Sequence, residues 1–189
     1  MRLARISSFV VLSTAVLGVS LAGADSTPLA NGVLEFSPSI AFTRSSVSPL
    51  SGGDAISATH INLRADVARA FNESFQLTAG LLAQHSARMG TARNAAGASF
   101  GAQYNFTPQS GMLPFASAAI GVVQYTGDDN DRALLLPMMR VGFRSMLGDS
   151  RSVNVSVGYQ HESNPESLHE SSADVFDIGV GMSLFHAPR

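Results

Sequence analysis

The sequence predicts an all-β fold, an eight-stranded antiparallel up-and-down transmembrane β-barrel. Three observations predict it: apolar and polar side chains alternate along eight segments, short and long connections alternate between them, and an even strand number suits closure. The alternation is clearest in the last segment, because successive side chains of a strand point to opposite faces. Its apolar parity comprises Phe176, Ile178, Val180, Met182 and Leu184, and its small or polar parity comprises Asp177, Gly179, Gly181 and Ser183.

The first four strands are predicted by the same alternation. The first sets apolar residues against Glu, Ser, Ala and Thr, and the second sets them against His, Asn, Arg and Asp. The third sets Phe, Leu and Ala mainly against Gln, Thr and Gly, and the fourth sets Phe, Ala and Tyr against Ser, Gly, Gln and Asn. In chain order these predicted strands cover residues 33–44, 56–71, 75–84 and 96–106.

The last four strands follow the same rule with one exception. Both parities of the fifth strand are small or apolar, so the side that faces lipid stays open there. The sixth sets Leu, Pro, Met, Val and Phe against Arg and Gly, and the seventh sets Val and Tyr against Asn, Ser, Gly and Gln. In chain order these predicted strands cover residues 112–125, 134–147, 153–160 and 174–185.

The connections and the aromatic residues predict two ends for the barrel. Short turns near residues 72, 109 and 149 alternate with longer polar loops, which is the organisation of bacterial outer-membrane barrels. The longer loops are predicted at residues 45–54, 85–95, 126–132 and 164–173. Aromatic rings favour the membrane–water interface. The predicted girdle beside the short turns is Phe71, Phe75, Tyr104, Phe106 and Phe115, and that at the other end is Phe42, Tyr125, Tyr159 and Phe176.

The segment from Met1 to Ala24 is predicted to be a secretory signal peptide. Arg2 and Arg5 form its basic start, an apolar stretch follows, and its last three residues give the A-x-A cleavage pattern. A membrane-anchoring helix is the alternative, but the apolar run is short against the ~20 residues that a span needs. We therefore expect cleavage before Asp25, export, and a single barrel domain over residues 25–189.

Composition excludes several classes of function. Without the two arginines of the signal peptide, ten basic and fourteen acidic residues remain, a net charge of −4. Nucleic-acid binding needs a basic patch, so nucleic acid is not expected as a partner. The chain has no cysteine, which leaves no disulfide, thiolate metal site or cysteine nucleophile. We expect no cofactor.

Seven ionisable residues fall on the parity that is predicted to face the lumen. In the dry core of a soluble two-sheet sandwich, the alternative fold, such charges would be costly unless they were paired. In an eight-stranded barrel they can pair across an interior that side chains fill. A selectivity ring of a small channel is the functional alternative for this lumenal charge network. Its members are Glu35, His60, Arg64, Asp66, Arg140, Arg144 and Asp177.

With its periodicity and its closing strand F-D-I-G-V-G-M-S-L-F, the chain resembles the small outer-membrane β-barrel family that includes the OmpA- and OmpX-type domains. The resemblance implies a porin-like monomer in the outer membrane of a Gram-negative bacterium. It also implies contact with outer-membrane lipid and lipopolysaccharide, and insertion by the barrel-assembly machinery. Members of such families usually end on a terminal aromatic residue. Here Phe185 is followed by four more residues, and alternation places Leu184 on the lipid face.

At the end of the seventh strand, Gln160-His161-Glu162-Ser163-Asn164 contains an H-x-S-N motif. It resembles the motif of lipid A deacylases of the PagL type, eight-stranded outer-membrane esterases with a Ser, His and acidic triad. The resemblance implies Ser163 as nucleophile, His161 as base and Asp174 as the residue that orients the base. Alternation points all three outward. The chain departs from the family pattern because Val175 stands fourteen residues after the histidine and Pro165 follows the motif.

Two acidic clusters in the predicted loops could suggest metal sites, but neither has the ligand spacing of an EF-hand loop. We interpret them as solvated charge that repels lipopolysaccharide or bridges to it through divalent cations. The clusters are Asp128, Asp129 and Asp131, and Glu162, Glu166, His169 and Glu170. For the whole chain we expect a non-enzymatic structural or surface-interaction role. The alternatives are the lipid A esterase and a narrow channel for small solutes.

Overall fold

The computed structural model describes residues 29–47, 56–88, 91–108, 112–126, 133–162 and 173–187. These form a closed barrel in which each strand pairs antiparallel with the next and the last pairs with the first. The predicted fold class is confirmed. No helix in these ranges is long and apolar enough to cross a membrane. The strands are β1 (Leu34–Val47), β2 (Ile56–Ala70), β3 (Phe75–Arg88), β4 (Thr91–Asn105), β5 (Met112–Thr126), β6 (Ala133–Met146), β7 (Arg151–Glu162) and β8 (Ala173–His186).

The exterior of the barrel is apolar, as the alternation predicts. Large hydrophobic side chains on the outward parity of the strands are 37–68% exposed, which is costly in water and suited to hydrocarbon. Leu81 is 68% exposed and Met139 is 64% exposed, whereas their strand neighbours Leu82 and Met138 are 5% and 7% exposed. The predicted outward position of Leu184 is confirmed, since it is 45% exposed.

The structure shows which face of β5 points into the lumen, and it corrects the predicted position of two girdle residues. The odd-numbered residues of β5 face inward. Phe115 is 7% exposed and lies in the lumen, and the Tyr125 hydroxyl donates a hydrogen bond to lumenal Gln84 over 3.4 Å. Both aromatic residues were predicted to face the membrane interface, and both predictions are wrong. The sequence misled because the two faces of β5 are equally apolar.

The short connections are tight turns. The Asn72 carboxamide oxygen accepts the amide protons of Ser74 and Phe75, each over 2.8 Å, which closes the β2–β3 turn. Gly148 in the β6–β7 turn has φ of +95°, a left-handed conformation that favours glycine. Both turns lie at the end of the barrel where the chain enters β1 and leaves β8. We call this end the inner rim and the opposite end the outer rim.

The predicted loop at residues 85–95 is too long, because β3 continues to Arg88 and β4 already begins at Thr91. His85 and Asn94 are cross-strand partners there, and the His85 Nδ1 lies 2.8 Å from the Asn94 carboxamide oxygen. A strand that extends beyond the membrane meets water on one or both faces. Its sequence therefore loses the apolar alternation while its hydrogen bonds continue.

Two apolar clusters lie in the lumen, one near each end. The segment before β1 turns at Gly32, which donates its amide to Ala70 over 2.8 Å, and it buries Leu29 in the inner cluster. The inner cluster consists of Leu29, Val33, Ala70, Leu113, Met146 and Phe185. The second cluster lies towards the outer rim and consists of Leu82, Ala95, Val123, Leu136 and Met138.

Candidate active site at the outer rim

The register of the last hairpin brings two of the residues of the proposed triad face to face. His161 pairs directly with Asp174 across the β7–β8 ladder. Directly paired residues point to the same face and lie closest together. Both side chains are on the outward parity of their strands, on the outer-rim side of the apolar band. The acid thirteen residues after the histidine is therefore the one that meets it, while Val175 points inward and is 5% exposed.

The contact between the two side chains is a short hydrogen bond. His161 Nδ1 lies 2.7 Å from Asp174 Oδ1, and the two side chains are 36% and 60% exposed. A carboxylate can only accept, so Nδ1 carries the proton in this contact, and in the neutral ring Nε2 is then the basic nitrogen. A neutral imidazole held in this tautomer is the form that a general base needs.

Tyr159 is a third member of this group, which we call the rim cluster. Its hydroxyl donates to the same Asp174 Oδ1 over 2.8 Å. The two donated hydrogen bonds, first from His161 and then from Tyr159, lower the pKa of the Asp174 carboxyl below its ordinary range. The Tyr159 ring is itself supported by its cross-strand partner Phe176, with ring centroids 5.1 Å apart. His161 and Asp174 thus lie directly above the Tyr159–Phe176 pair, at the edge of the apolar band.

The remaining residues of the predicted site lie outside the described part of the chain. These are Ser163, the proposed nucleophile, and Asn164. The side chain of Glu162 is also outside it, as are both acidic clusters of the loops. Among the described side chains there is no group of three or more His, Asp or Glu residues that could hold a metal ion.

The described pairing of β7 with β6 ends just below His161 of the rim cluster. Pairing between β6 and β7 begins at Met138 with Gln160 and continues to the inner rim. Towards the outer rim, the described part of β6 pairs with β5, and His161 pairs with β8. Pro137 lies at this point, and proline has no amide proton to donate to a ladder.

The lumen contains the residues of the predicted charge network. Glu35 and Arg144 form a buried ion pair, with 2.9 Å between a carboxylate oxygen and Nη2 and with 1% and 3% of the side chains exposed. Gln76 donates to the same carboxylate over 2.8 Å, and the Ser183 hydroxyl also donates to it. The Arg144 guanidinium lies over the rings of Phe115 and Phe185, at 5.3 and 5.8 Å. Inward-facing Phe115 thus provides a surface for a buried cation.

A second ion pair lies further from the inner rim. Arg64 Nη2 is 3.0 Å from Asp66 Oδ1. Asn62 donates to the Asp177 carboxylate over 3.4 Å, and Arg140 belongs to the same layer, with favourable electrostatic interactions with both acids. His60 occupies an inward, half-buried position on β2. Arg64, Asp66 and Arg140 line a cavity of about 60 Å³, which has room for several waters.

The sequence alone did not assign two features of these sites. Tyr159 was interpreted only as an interfacial aromatic residue, although its parity with His161 already placed it on the same face. The glycines opposite the lumenal acids were also overlooked. Gly80 pairs with Asp66 and Gly158 pairs with Asp177, and in each case a Cβ on the glycine would overlap the carboxylate.

Comparison with known proteins identifies the fold. No protein-family model matches the sequence, and no curated protein matches it. Among solved structures, Neisserial surface protein A is 12% identical, with a TM-score of 0.60, covering 82% of this chain and 97% of that one. OprG from Pseudomonas aeruginosa is also 12% identical, with a TM-score of 0.55, covering 86% and 100%.

The outer membrane enzyme PagL is 16% identical over 79% of this chain and 98% of that one. Its TM-score of 0.48 is too low to support an argument about activity. OprG is an outer-membrane protein by description, and the Neisserial protein is described as a surface protein. The closed eight-stranded barrel with an apolar exterior is thus a fold that this chain shares with small outer-membrane barrel proteins.

Proposed function

We propose that the protein is an outer-membrane esterase that hydrolyses acyl esters of lipid in the outer leaflet, with lipid A as its substrate class. The observation that carries the proposal is the 2.7 Å contact between His161 Nδ1 and Asp174 on the outward face of the barrel. A base oriented in this way can activate a nucleophile, and Ser163 follows His161 by two residues in the sequence.

The proposed reaction follows from these roles. His161 Nε2 takes the proton of the Ser163 hydroxyl as its oxygen attacks the ester carbonyl carbon. The protonated imidazole then gives that proton to the departing alcohol of the lipid. Water hydrolyses the acyl-enzyme by the same sequence, which releases the fatty acid and restores Ser163. Asp174 remains ionised throughout and stabilises the imidazolium that forms in each half of the reaction.

The outward direction of the rim cluster supports a lipid as the substrate. Below it the exterior of the barrel is a continuous apolar surface, and the Tyr159–Phe176 pair marks the edge of that surface. Aromatic pairs of this kind prefer the depth of the lipid headgroups. The ester bonds of a membrane lipid lie close to that depth, so a site at this height can reach them while the acyl chain stays in hydrocarbon.

A non-enzymatic structural role is the second candidate, and the packing of the described lumenal side chains supports it. The buried ion pair, the polar network and both apolar clusters hold the described strands together from the inside. The same packing weighs against the channel alternative, since the inward side chains of Leu136 and Val123 are fully buried in the lumen. Recording from the purified protein in planar bilayers tests conduction directly, and a flat trace at all voltages is expected.

The esterase is tested by incubating the refolded, purified protein with lipid A in vesicles and measuring released fatty acid and remaining lipid by mass spectrometry. We expect loss of an acyl chain with the wild type. Ser163→Ala and His161→Asn should reduce the rate by about 10³-fold or more. Asp174→Asn should also reduce it strongly.

His85→Asn is the matched control for this experiment. His85 also faces outward near the outer rim and contacts a cross-strand partner, Asn94, but it lies on β3, away from the rim cluster. It should retain full activity. Intact lipid A after incubation with folded wild-type protein contradicts the esterase and leaves the structural role. Folding is checked by the change in gel mobility between unheated and boiled samples.

A further inference from the structure

We propose that Tyr159 is a positioning residue of the esterase, whose hydroxyl fixes the Asp174 carboxylate in the orientation that holds the His161 ring. This inference rests on the proposed function. It assigns a role to a residue outside the Ser, His and acid set and explains how an exposed acid can orient a base.

The geometry of the hairpin supports this role. Asp174 is opposite His161 and diagonal to Tyr159, and its Oδ1 accepts hydrogen bonds from both, over 2.7 and 2.8 Å. Two hydrogen bonds from different directions therefore fix the position of Asp174 Oδ1. With one donor alone, the carboxyl group could rotate about its Cβ–Cγ bond and lose the alignment of the imidazole.

Exposure explains why a second donor is needed. The acid of a serine-hydrolase triad is ordinarily buried, which restrains it and strengthens its contact with histidine. Here the Asp174 side chain is 60% exposed, so water competes for both of its oxygens. A phenol donor on a rigid ring restrains the carboxylate at a small cost in side-chain entropy, since tyrosine has only two side-chain torsions.

The position of the phenol is in turn fixed by packing. The Tyr159 and Phe176 rings are cross-strand neighbours with centroids 5.1 Å apart and planes inclined by 50°. This contact holds the ring upright against β8, so that its hydroxyl points along the strand towards Asp174. The aromatic contact thus holds the Tyr159 hydroxyl in place, the hydroxyl holds the Asp174 carboxylate, and the carboxylate holds the His161 ring.

The test compares Tyr159→Phe with the wild type in the lipid A assay. The substitution removes the hydroxyl and keeps the ring, so the aromatic contact and the apolar surface are preserved. We expect kcat to fall by about three- to tenfold while KM stays unchanged, since the hydroxyl acts on the base and not on the lipid. If the wild type is active and Tyr159→Phe has the same kcat, this inference is overturned and the proposed esterase function is unaffected.

A double-variant comparison distinguishes positioning from a general structural effect. If Tyr159 acts through Asp174, the Tyr159→Phe change should have no further effect on kcat in an Asp174→Ala background. An equal fold-reduction in both backgrounds overturns the inference. The matched control is Tyr104→Phe, which removes the hydroxyl of an outward tyrosine paired with Phe106 at the same 5.1 Å at the inner rim, and it should leave kcat unchanged.

A readout independent of turnover is the protonation of the His161 ring. In protein labelled with ¹⁵N-histidine in detergent micelles, the His161 signal is assigned by its loss in His161→Asn. The wild type should show the Nδ1–H tautomer, and Tyr159→Phe should reduce its share. Identical ring spectra overturn the inference. A folded wild type that releases no fatty acid overturns the proposed function, and with it any catalytic role for Tyr159.

Discussion

The Arg144 guanidinium lies 2.9 Å from the Glu35 carboxylate, at a point in the lumen where both side chains are almost completely shielded from solvent. A buried pair of this kind is strongly coupled, because removal of one partner leaves the other charge without compensation. Arg144→Met should therefore lower the free energy of unfolding by about 3–5 kcal/mol. The measurement is denaturant unfolding in lipid vesicles, followed by circular dichroism.

Arg69→Met is the matched control for that measurement. Arg69 faces outward and its guanidinium lies 6.0 Å from the centre of the Phe71 ring, so its loss uncovers no buried charge. The double change Glu35→Gln with Arg144→Met should recover most of the lost stability, because both charges are then removed. Equal destabilisation by Arg69→Met and Arg144→Met would contradict a special role for the buried pair.

Gly158 leaves the space that the Asp177 carboxylate occupies. A Cβ at Gly158 would overlap that carboxylate, and the packed lumen leaves little room for the acid to move. Gly158→Ala should therefore destabilise the barrel by about 1–3 kcal/mol, as overpacking does in other cores. The unfolding midpoint in vesicles measures the effect.

Gly121→Ala provides the comparison for the glycine substitution. Its Cβ would meet the ends of two flexible side chains, Leu82 Cδ1 at 2.9 Å and Met138 Cε at 3.0 Å, which can move by small rotations. Gly121→Ala is therefore expected to destabilise the barrel less than Gly158→Ala does. A loss at Gly121 as large as that at Gly158 would show that the carboxylate is not the reason for the glycine.

The sequence was sufficient to predict the barrel because lipid and lumen demand different side chains. Alternation of this kind places Leu63 and Val155 outward, and both are exposed on the exterior. It fails where the lumen itself is apolar. Val123 and Leu136 belong to the cluster near the outer rim and are chemically the same as Val122 and Leu135, which face lipid. Only the register of the neighbouring strands distinguishes the two sides.

The candidate site was predicted in part, for a similar reason. The sequence supplied His161 and Asp174 through a motif and a shared parity. It could not show that they are direct partners, because pairing depends on how the β7–β8 ladder is aligned along its length. Tyr159 was missed as a partner of the carboxylate because an interfacial tyrosine needs no further explanation in a membrane barrel.

Leu136→Ala tests whether the apolar cluster near the outer rim is a packed core. Leu136 is fully buried, so truncation leaves a cavity and should cost about 2–5 kcal/mol. The adjacent Leu135 is the matched control, since it is 43% exposed on the lipid side, where lipid fills the space that Leu135→Ala would leave. Unfolding midpoints in vesicles compare the two variants. Equal losses would contradict a packed lumenal core.

The Asp174 carboxyl should titrate below the ordinary range of aspartate, because its pKa is lowered by hydrogen bonds from His161 and then from Tyr159. A group whose pKa is depressed in the folded state contributes its interaction above the unfolded pKa and loses it as the pH falls through the folded pKa. The contact with His161 should therefore persist as the pH falls through the ordinary range of aspartate and be lost below that range. Carboxyl ¹³C shifts of labelled protein in micelles give the midpoint. His161→Asn should raise this midpoint, and an unchanged value would show that the histidine does not stabilise the carboxylate.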